Sequence, residues 1–236
     1  MKLNNRELYD LLRDKGVSNF YHSNTVATAM TYIEQGGLLS RKCVETDDLY
    51  QTPQTSDKVD KQFDVFDDVF LDTTDLHKHF SRQNHYGPVL FQFSLEILLN
   101  DKFEFWVTKD NPINWDEGFS STDKYFKDVK ELSKEWGNYE IQKKMFTIKK
   151  SSGPILFDYL ECIILDNPKI LINGDVSLKK ESRKALGEIL KVNSNLEAKL
   201  VWRACGYCYC SENYLKQIPT VVMAQKFLPQ YHSALK

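Results

Sequence analysis

The 236-residue chain has no long apolar run, and no stretch approaches the ~20 consecutive apolar residues that a membrane span needs. Its opening residues, MKLNNRELYDLLRDKG, contain no apolar segment of the kind found in a secretory signal. A repeat period and low-complexity tracts are also absent, so a repeat architecture is not predicted. These absences predict a cytoplasmic protein without a membrane partner.

Cysteine is scarce. The chain has five, and an odd number without a secretory signal argues against a disulfide framework. Cys205, Cys208 and Cys210 lie close together, but a closed zinc site needs four ligands, and the fourth would have to be Cys43 or a histidine. We therefore predict free thiols and no metal, and zinc binding by the three clustered cysteines stays an open alternative.

Neither sign of charge dominates, since 31 Lys and Arg oppose 33 Asp and Glu for a formal net charge of −2. Proteins that coat nucleic acid through bulk electrostatics usually present a net basic surface, so that class is not predicted. The signs are nevertheless separated along the chain. Acidic residues dominate between Glu45 and Asp75, and basic residues concentrate between Lys143 and Lys184. A polyanion would therefore dock on the second half only.

The composition, 42% hydrophobic and 13% aromatic, is that of a folded protein, and the length fits one domain, residues 1–236. Short strands and a few helices follow one another without regular alternation, which favours an α+β fold with a split or curved mixed sheet and flanking helices. Strands are predicted at 17–21, 65–71, 89–93, 103–108, 143–149, 159–165 and 199–204, and helices at 6–15, 26–35, 125–136 and 177–192. Residues 45–60 are predicted to form a polar surface loop.

Glu161 is the first candidate for catalysis. It lies in the apolar run YLECIIL, and a glutamate is almost never fully buried without a partner. An outward position on an edge strand would explain it without any function. In a cleft, the same carboxylate would bond ribose hydroxyls and stabilise positive charge at an anomeric carbon.

His22 is the second candidate, in the stretch YHSN where a predicted strand meets a predicted helix. A histidine in such a place most often donates to a backbone carbonyl. Its neighbours Tyr21, Ser23 and Asn24 add an aromatic face and hydrogen-bond donors at a helix N-terminus. Such a set can hold a carboxamide, a ribose and a phosphate together.

A third group of side chains, near the C-terminal end, is aromatic: Trp202, Tyr207, Tyr209 and Tyr214. With the nearby basic residues these rings could stack the bases of a single strand. Aromatic residues are more often part of a core, so both interpretations stay open.

The run YHSNTVATAMTYIEQGGLLSR resembles the opening motif of the DarT-like NAD-dependent ADP-ribosyltransferase toxins: Tyr-His, a polar turn, a helix, then Gly-Leu-Leu-Ser-Arg. YLECIIL resembles the catalytic strand of that family, in which a glutamate opens an apolar run late in the chain. The middle segment, DVFLDTTDLHKHFSRQNHYGPVLFQF, resembles a divergent, mRNA-modifying CmdT-like branch rather than the DNA-modifying members. The resemblance extends over about two-thirds of the chain.

This resemblance implies a split-sheet fold that binds NAD as co-substrate and transfers ADP-ribose to a nucleobase, with Glu161 as the catalytic residue. The residues that would contact NAD are Tyr21, His22, Ser23, Asn24 and Lys61. Lys61 stands in for an arginine that relatives use and that has no clear equivalent in residues 51–66. The residues that would contact the acceptor are Arg41, His77, Arg82 and Tyr86.

The implied partners are a nucleic acid substrate and an antitoxin protein, with a chaperone as a further partner, in a bacterial anti-phage toxin-antitoxin system. RNA is favoured over single-stranded DNA because the middle segment departs from the DNA-modifying branch. One rival keeps the enzyme and makes single-stranded DNA or a protein the acceptor. The other is a non-catalytic nucleotide- or nucleic-acid-binding module that kept the fold and lost turnover.

Overall fold

The computed structural model describes residues 1–79, 85–138, 144–203, 209, 212, 214 and 218–235. Arg82 and the three clustered cysteines, Cys205, Cys208 and Cys210, lie outside these residues. The proposals of acceptor contact for Arg82 and of zinc binding for the cysteines therefore stay untested.

Strands and helices alternate irregularly along the chain. The strands are β1 Asn19–Asn24, β2 Gly37–Leu38, β3 Val69–Leu71, β4 Val89–Ser94, β5 Phe105–Val107, β6 Phe146–Ile148, β7 Ile155–Leu156, β8 Leu160–Leu165, β9 Leu171–Ile172, β10 Val176–Ser177 and β11 Leu200–Trp202. The helices are α1 Asn5–Asp14, α2 Val26–Glu34, α3 Arg41–Thr46, α4 Asp57–Gln62, α5 Leu76–His79, α6 Ser121–Lys124, α7 Val129–Glu135, α8 Leu178–Leu190 and α9 Thr220–Phe227. This mixture agrees with the predicted α+β class.

Two main sheets carry the fold. The first has the strand order β1-β4-β8-β11, with β8 and β11 parallel and the other pairs antiparallel. The second has the order β3-β6-β5 and is antiparallel throughout. Phe20 of β1 is fully buried and contacts Phe105 and Phe146 of the second sheet, with ring centroids 6.1 and 5.2 Å apart. The core between the sheets therefore begins at the first strand.

Helix α2 positions the end of β1. Its N-cap is Thr25, whose side chain accepts a hydrogen bond from the backbone N–H of Thr28. Ser23 and Asn24 belong to β1, which continues three residues beyond the predicted strand end at Tyr21. Beyond the helix, Gly36 adopts a positive φ of 74°, the conformation with which a glycine commonly ends a helix.

The segment predicted as a polar loop, residues 45–60, is partly helical. It begins inside α3 and ends inside α4. The short α4 buries no residue completely, so the sequence lacked the apolar periodicity that would have revealed it.

Candidate functional site

The two sheets separate immediately after Tyr21. Tyr21 and Asp72 exchange two backbone hydrogen bonds of 2.8 Å, which joins β1 to the segment that follows β3. One residue later, Nδ1 of His22 donates to the carbonyl oxygen of Phe70 at 2.8 Å. In a continued antiparallel ladder the backbone N–H of Ser23 would use that oxygen. The imidazole of His22 therefore occupies the point at which the sheet splits.

The outer edge of β1 is left open at Ser23. Because the backbone groups of Tyr21 point away from β4, those of Ser23, two residues on, point to the same edge. No described residue forms a backbone hydrogen bond with Ser23 from that side. The open N–H and C=O together match the donor and acceptor of a carboxamide.

His22 is a neutral imidazole in a buried setting. Burial lowers its pKa below the ordinary value, the Phe70 carbonyl partly offsets this, and the nearby Arg41 charge lowers it further. Its ring lies 5.8 Å from that of Tyr32, whose hydroxyl accepts a hydrogen bond from Asn24. Since Nδ1 carries the proton, Nε2 presents a lone pair, and this buried atom has no hydrogen-bond partner among the described residues.

Arg41 is the cation next to His22. Its Nη2 donates to Asp57 at 2.7 Å and to the carbonyl oxygen of Thr52 at 3.2 Å. Its Nη1 is buried and, within the described ranges, has no hydrogen-bond partner. Buried polar atoms are nearly always paired, so two unpaired ones in neighbouring residues indicate space for a ligand.

Lys61 lies elsewhere. It pairs with Glu45 at 2.7 Å on the exposed surface, and its ammonium group lies 4.5 Å from the ring centroid of Phe66. The sequence assigned Lys61 to NAD and Arg41 to the acceptor, and the structure places Arg41 rather than Lys61 beside His22. The reason is tertiary: α3 carries Arg41 inward against Asp57, while the short α4 exposes Lys61.

Glu161 is the extra residue of a β-bulge. In the pairing of β4 with β8, Gln92 lies opposite Cys162 and Phe93 lies opposite Leu160, so Glu161 has no partner of its own. Strand β8 lies between β4 and β11 in the sheet order, but β11 pairs only with Ile163, Ile164 and Leu165, so at Glu161 the paired neighbour is β4. The side chain is exposed. The bulge thus presents a carboxylate to solvent from an otherwise apolar central strand.

Two amide side chains hold one oxygen of this carboxylate. Oε2 of Glu161 accepts hydrogen bonds from Nδ2 of Asn19 at 2.6 Å and from Nε2 of Gln92 at 2.9 Å. Oε1 accepts none from the described residues. Asn19 lies on β1, two strands away, which corresponds to about 9.6 Å of sheet. The carboxylate therefore leans across the sheet towards β1 with one oxygen fixed and the other open.

Tyr21 shares the face of Glu161, and His22 faces the other way. Tyr21 lies opposite Gln92 in the ladder, and His22 lies opposite Phe91 on the buried face. Burial is the largest cause that raises the pKa of Tyr21 above its ordinary value, and the nearby carboxylates of Asp75 and Glu161 raise it further. The predicted pocket of four consecutive side chains is thus divided between two faces, with the strand edge at Ser23 between them.

The remaining predicted acceptor residues differ in exposure. His77 is only 4% exposed, and its Nδ1 lies 2.8 Å from Oδ2 of the fully buried Asp166. It therefore belongs to a buried ionic network rather than to the rim of a cleft. Tyr86 is exposed and precedes Gly87, which packs against the Asn24–Thr25 peptide at the end of β1.

Gly87 offers a stability test of this packing. A Cβ added there would lie 2.4 Å from the carbonyl oxygen of Asn24, and its φ of 141° disfavours L side chains. We expect Gly87→Ala to lower the free energy of unfolding by about 2–4 kcal/mol, measured by chemical denaturation. Gly187→Ala is the control, because a Cβ meets nothing within 4 Å in that helix. Gly187→Ala should raise the free energy of unfolding slightly. Equal free energies of unfolding for the two variants would contradict the close contact of Gly87 with Asn24.

Asn19 and Gln92 are the site residues that the sequence analysis missed. Gln92 carried a usable signal, since it is a polar residue inside the apolar strand VLFQF, just as Glu161 is inside YLECIIL. Asn19 carried none, because an asparagine at the start of a strand is common in turns. Their shared function, holding Oε2 of Glu161, depends on strand order.

In the described part of the chain, no group of three or more His, Cys, Asp or Glu residues is arranged to hold a metal ion. None of the helices described is long and apolar enough to cross a membrane.

Among the comparisons with known proteins, solved structures show a likeness of fold. No family model and no curated protein matches the sequence. The fold is similar to that of DarT from Thermus sp. 2.9, solved in complex with ADP-ribosylated single-stranded DNA. The TM-score is 0.51 at 12% sequence identity, and the match covers 80% of this chain and 95% of that chain. The chain therefore has a DarT-like fold.

Proposed function

We propose that this chain is an NAD-dependent ADP-ribosyltransferase that modifies a nucleobase. The observation that carries the proposal is the carboxylate of Glu161, which a bulge exposes and two amides orient on a DarT-like fold. Its position in YLECIIL is the one that resembles the catalytic strand of that family. A binding module that had lost turnover would have no need of a carboxylate held in this way.

The residues around β1 fit NAD bound along the open outer edge of this strand. The open N–H and C=O of Ser23 suit its carboxamide, Nε2 of His22 suits a ribose hydroxyl, and Nη1 of Arg41 suits a phosphate. NAD itself supplies a ribose carbon that becomes positive as nicotinamide leaves. Glu161 provides negative charge for that carbon and accepts the proton of the incoming base through its open Oε1.

We assign RNA as the acceptor, because the middle segment resembles the mRNA-modifying branch. Single-stranded DNA is the second candidate, favoured by the DNA bound to the Thermus protein. By the same resemblance, the chain acts as the cytoplasmic toxin of an anti-phage system, restrained by an antitoxin protein that a chaperone assists.

The acceptor is tested by incubating the protein with labelled NAD and separate pools of RNA, single-stranded DNA and protein. Label in the RNA pool alone is the expected result. Label only in DNA or only in protein would replace the acceptor and keep the enzyme. Label in none of the pools, with the protein folded, would favour the binding module.

Gln92 should act as a positioning residue. Gln92→Leu removes one of the two donors to Oε2 of Glu161, and we expect kcat to fall about tenfold with the KM for NAD unchanged. Gln62→Leu makes the same chemical change at an exposed glutamine that bonds Glu117 and should leave both constants unchanged. Steady-state kinetics measure kcat and the KM for NAD of the two variants. Wild-type kcat in Gln92→Leu would contradict the positioning role.

A further inference from the structure

A hollow opens at the three-stranded sheet β3-β6-β5. It encloses about 320 Å³, and we call it the Trp115 hollow. Its lining residues are Phe63, Asp64, Glu104, Trp106, Trp115, Ser121, Lys124, Tyr125, Lys149 and Lys150. Neither His22 nor Glu161 lines it. None of its residues was assigned a function from the sequence.

Aromatic rings form most of its wall. Trp106 and Trp115 each pack edge-on against Tyr125, with ring centroids 4.8 and 5.2 Å apart, and Phe63 packs edge-on against Trp115 at 5.7 Å. Because successive rings are nearly perpendicular, they cannot all cover one another's faces. Trp115 and Tyr125 are buried, whereas Phe63 and Trp106 are half-buried, so the ring surface that a planar ligand can reach belongs to Phe63 and Trp106.

Ammonium groups lie over these rings. Nζ of Lys124 is 4.8 Å from the ring centroid of Phe63 and 5.4 Å from that of Trp115. Nζ of Lys149 is held by Asp68 at 2.6 Å. Lys124 forms no salt bridge with any described residue, so its charge is available to a ligand.

Trp115 also has a hydrogen-bond donor without an acceptor. The residue is 7% exposed, and its Nε1 is buried with no hydrogen-bond partner in the described part of the chain. In the same hollow, Nε1 of Trp106 donates to Glu104 at 2.6 Å, as a buried indole normally does. An unpaired buried donor is costly, and an acceptor atom on a ligand would remove that cost.

We propose that the Trp115 hollow binds one nucleotide of a single-stranded nucleic acid. The base stacks on the half-buried rings of Phe63 and Trp106, a base carbonyl accepts from Nε1 of Trp115, and the phosphate meets Lys124. Asp64 pairs with Lys150 at 3.3 Å, and Glu104 opposes a bare anion but can accept from an exocyclic amine on the base. The mixed lining thus fits a nucleotide better than a phosphate alone.

The use of this nucleotide rests on the proposed function. If the chain modifies a strand, the Trp115 hollow holds a base away from the reacting one and sets the register of the acceptor. Base stacking tolerates every base, so the hollow would add affinity with little sequence preference.

The test is a titration without NAD, so that it does not depend on transfer. Three fluorescently labelled probes are used: a single-stranded RNA, the same strand in DNA, and a strand of equal length whose central bases are abasic. Anisotropy should show the abasic strand binding at least about tenfold more weakly than the others. Equal affinity for all three would overturn the proposal, because it would leave only phosphate contacts.

Variants locate the effect. Trp115→Phe keeps the ring and removes Nε1, and Lys124→Ala removes the unpaired charge; each should weaken RNA binding about three- to tenfold. Lys130→Ala, at an exposed position on α7 outside the hollow, is the matched control and should bind like wild type. Wild-type affinity in both Trp115→Phe and Lys124→Ala would refute the site. Strand binding without any transfer would instead refute the proposed function and leave the hollow intact.

Discussion

Replacing Glu161 with glutamine should reduce ADP-ribosyl transfer by about 10²- to 10³-fold and leave the fold unchanged. Glutamine has nearly the same size and keeps an oxygen that can accept from Asn19 and Gln92. It removes the negative charge that faces the developing positive ribose, and it removes the base that takes the acceptor proton. Because the side chain is exposed, the substitution buries no new polar group.

Initial rates of label transfer from NAD to the acceptor measure this effect. Glu96→Gln is the matched control, since Glu96 is also exposed and its carboxylate forms no hydrogen bond or salt bridge with a described residue. It should transfer at the wild-type rate, and both variants should share the wild-type melting temperature. More than a tenth of wild-type transfer in Glu161→Gln would rule out Glu161 as the catalytic residue.

The largest stability effect is expected at Arg203. Its guanidinium donates to both oxygens of Asp75, at 2.6 and 3.0 Å, and to Asp166 at 2.5 Å. Asp166 is completely buried and also accepts from Tyr214. Arg203→Leu would remove the guanidinium from two buried carboxylates and leave His77 as the remaining described ion-pair partner of Asp166, so we expect a loss of about 3–5 kcal/mol in the free energy of unfolding at pH 7.

The same network predicts a pH dependence. Burial alone would raise the pKa of Asp166, but His77 and Arg203 outweigh it and lower that pKa to about 2. A carboxyl whose pKa is lower in the folded state stabilises the fold above its unfolded pKa of about 4. That contribution should be lost as the pH falls from about 4 to about 2.

Chemical denaturation at pH 7 and pH 3 measures both effects. Arg183→Leu is the control, because Arg183 is exposed and lies over the Trp202 ring, 4.6 Å from its centroid, without a described salt bridge. It should cost less than about 1 kcal/mol. A similarly small loss in Arg203→Leu would mean that the buried network does not stabilise the fold.

The local pattern of apolar residues was sufficient to predict most of the strands. The run VLFQF became β4 and YLECIIL became β8, because a continuous apolar stretch in a β-branched and aromatic context has few alternatives. The boundaries were less accurate where polar residues continue a strand. Strand β1 extends through His22 and Ser23 to Asn24, since pairing with β4, and not composition, keeps these residues extended.

That boundary decided how the site was interpreted. With the strand ending at Tyr21, the next three side chains could all be drawn into one pocket. Within a strand, neighbours point to opposite faces, so Tyr21 joins Glu161 while His22 faces α2. Of the C-terminal aromatic residues, Tyr214 is fully buried in the core, Tyr209 is exposed, and Tyr207 lies outside the described residues. The rings beside a hollow are Trp106 and Trp115.

By itself, the sequence determined which residues are chemically unusual. A glutamate in an apolar strand and a histidine before a helix could be recognised because burial of charge and helix termini follow local rules. Only the tertiary structure decided that a bulge exposes Glu161, that Asn19 and Gln92 hold it, and that Arg41 lies beside His22. Strand order and register bring together residues that lie up to 142 positions apart, and these depend on the packing of the whole chain.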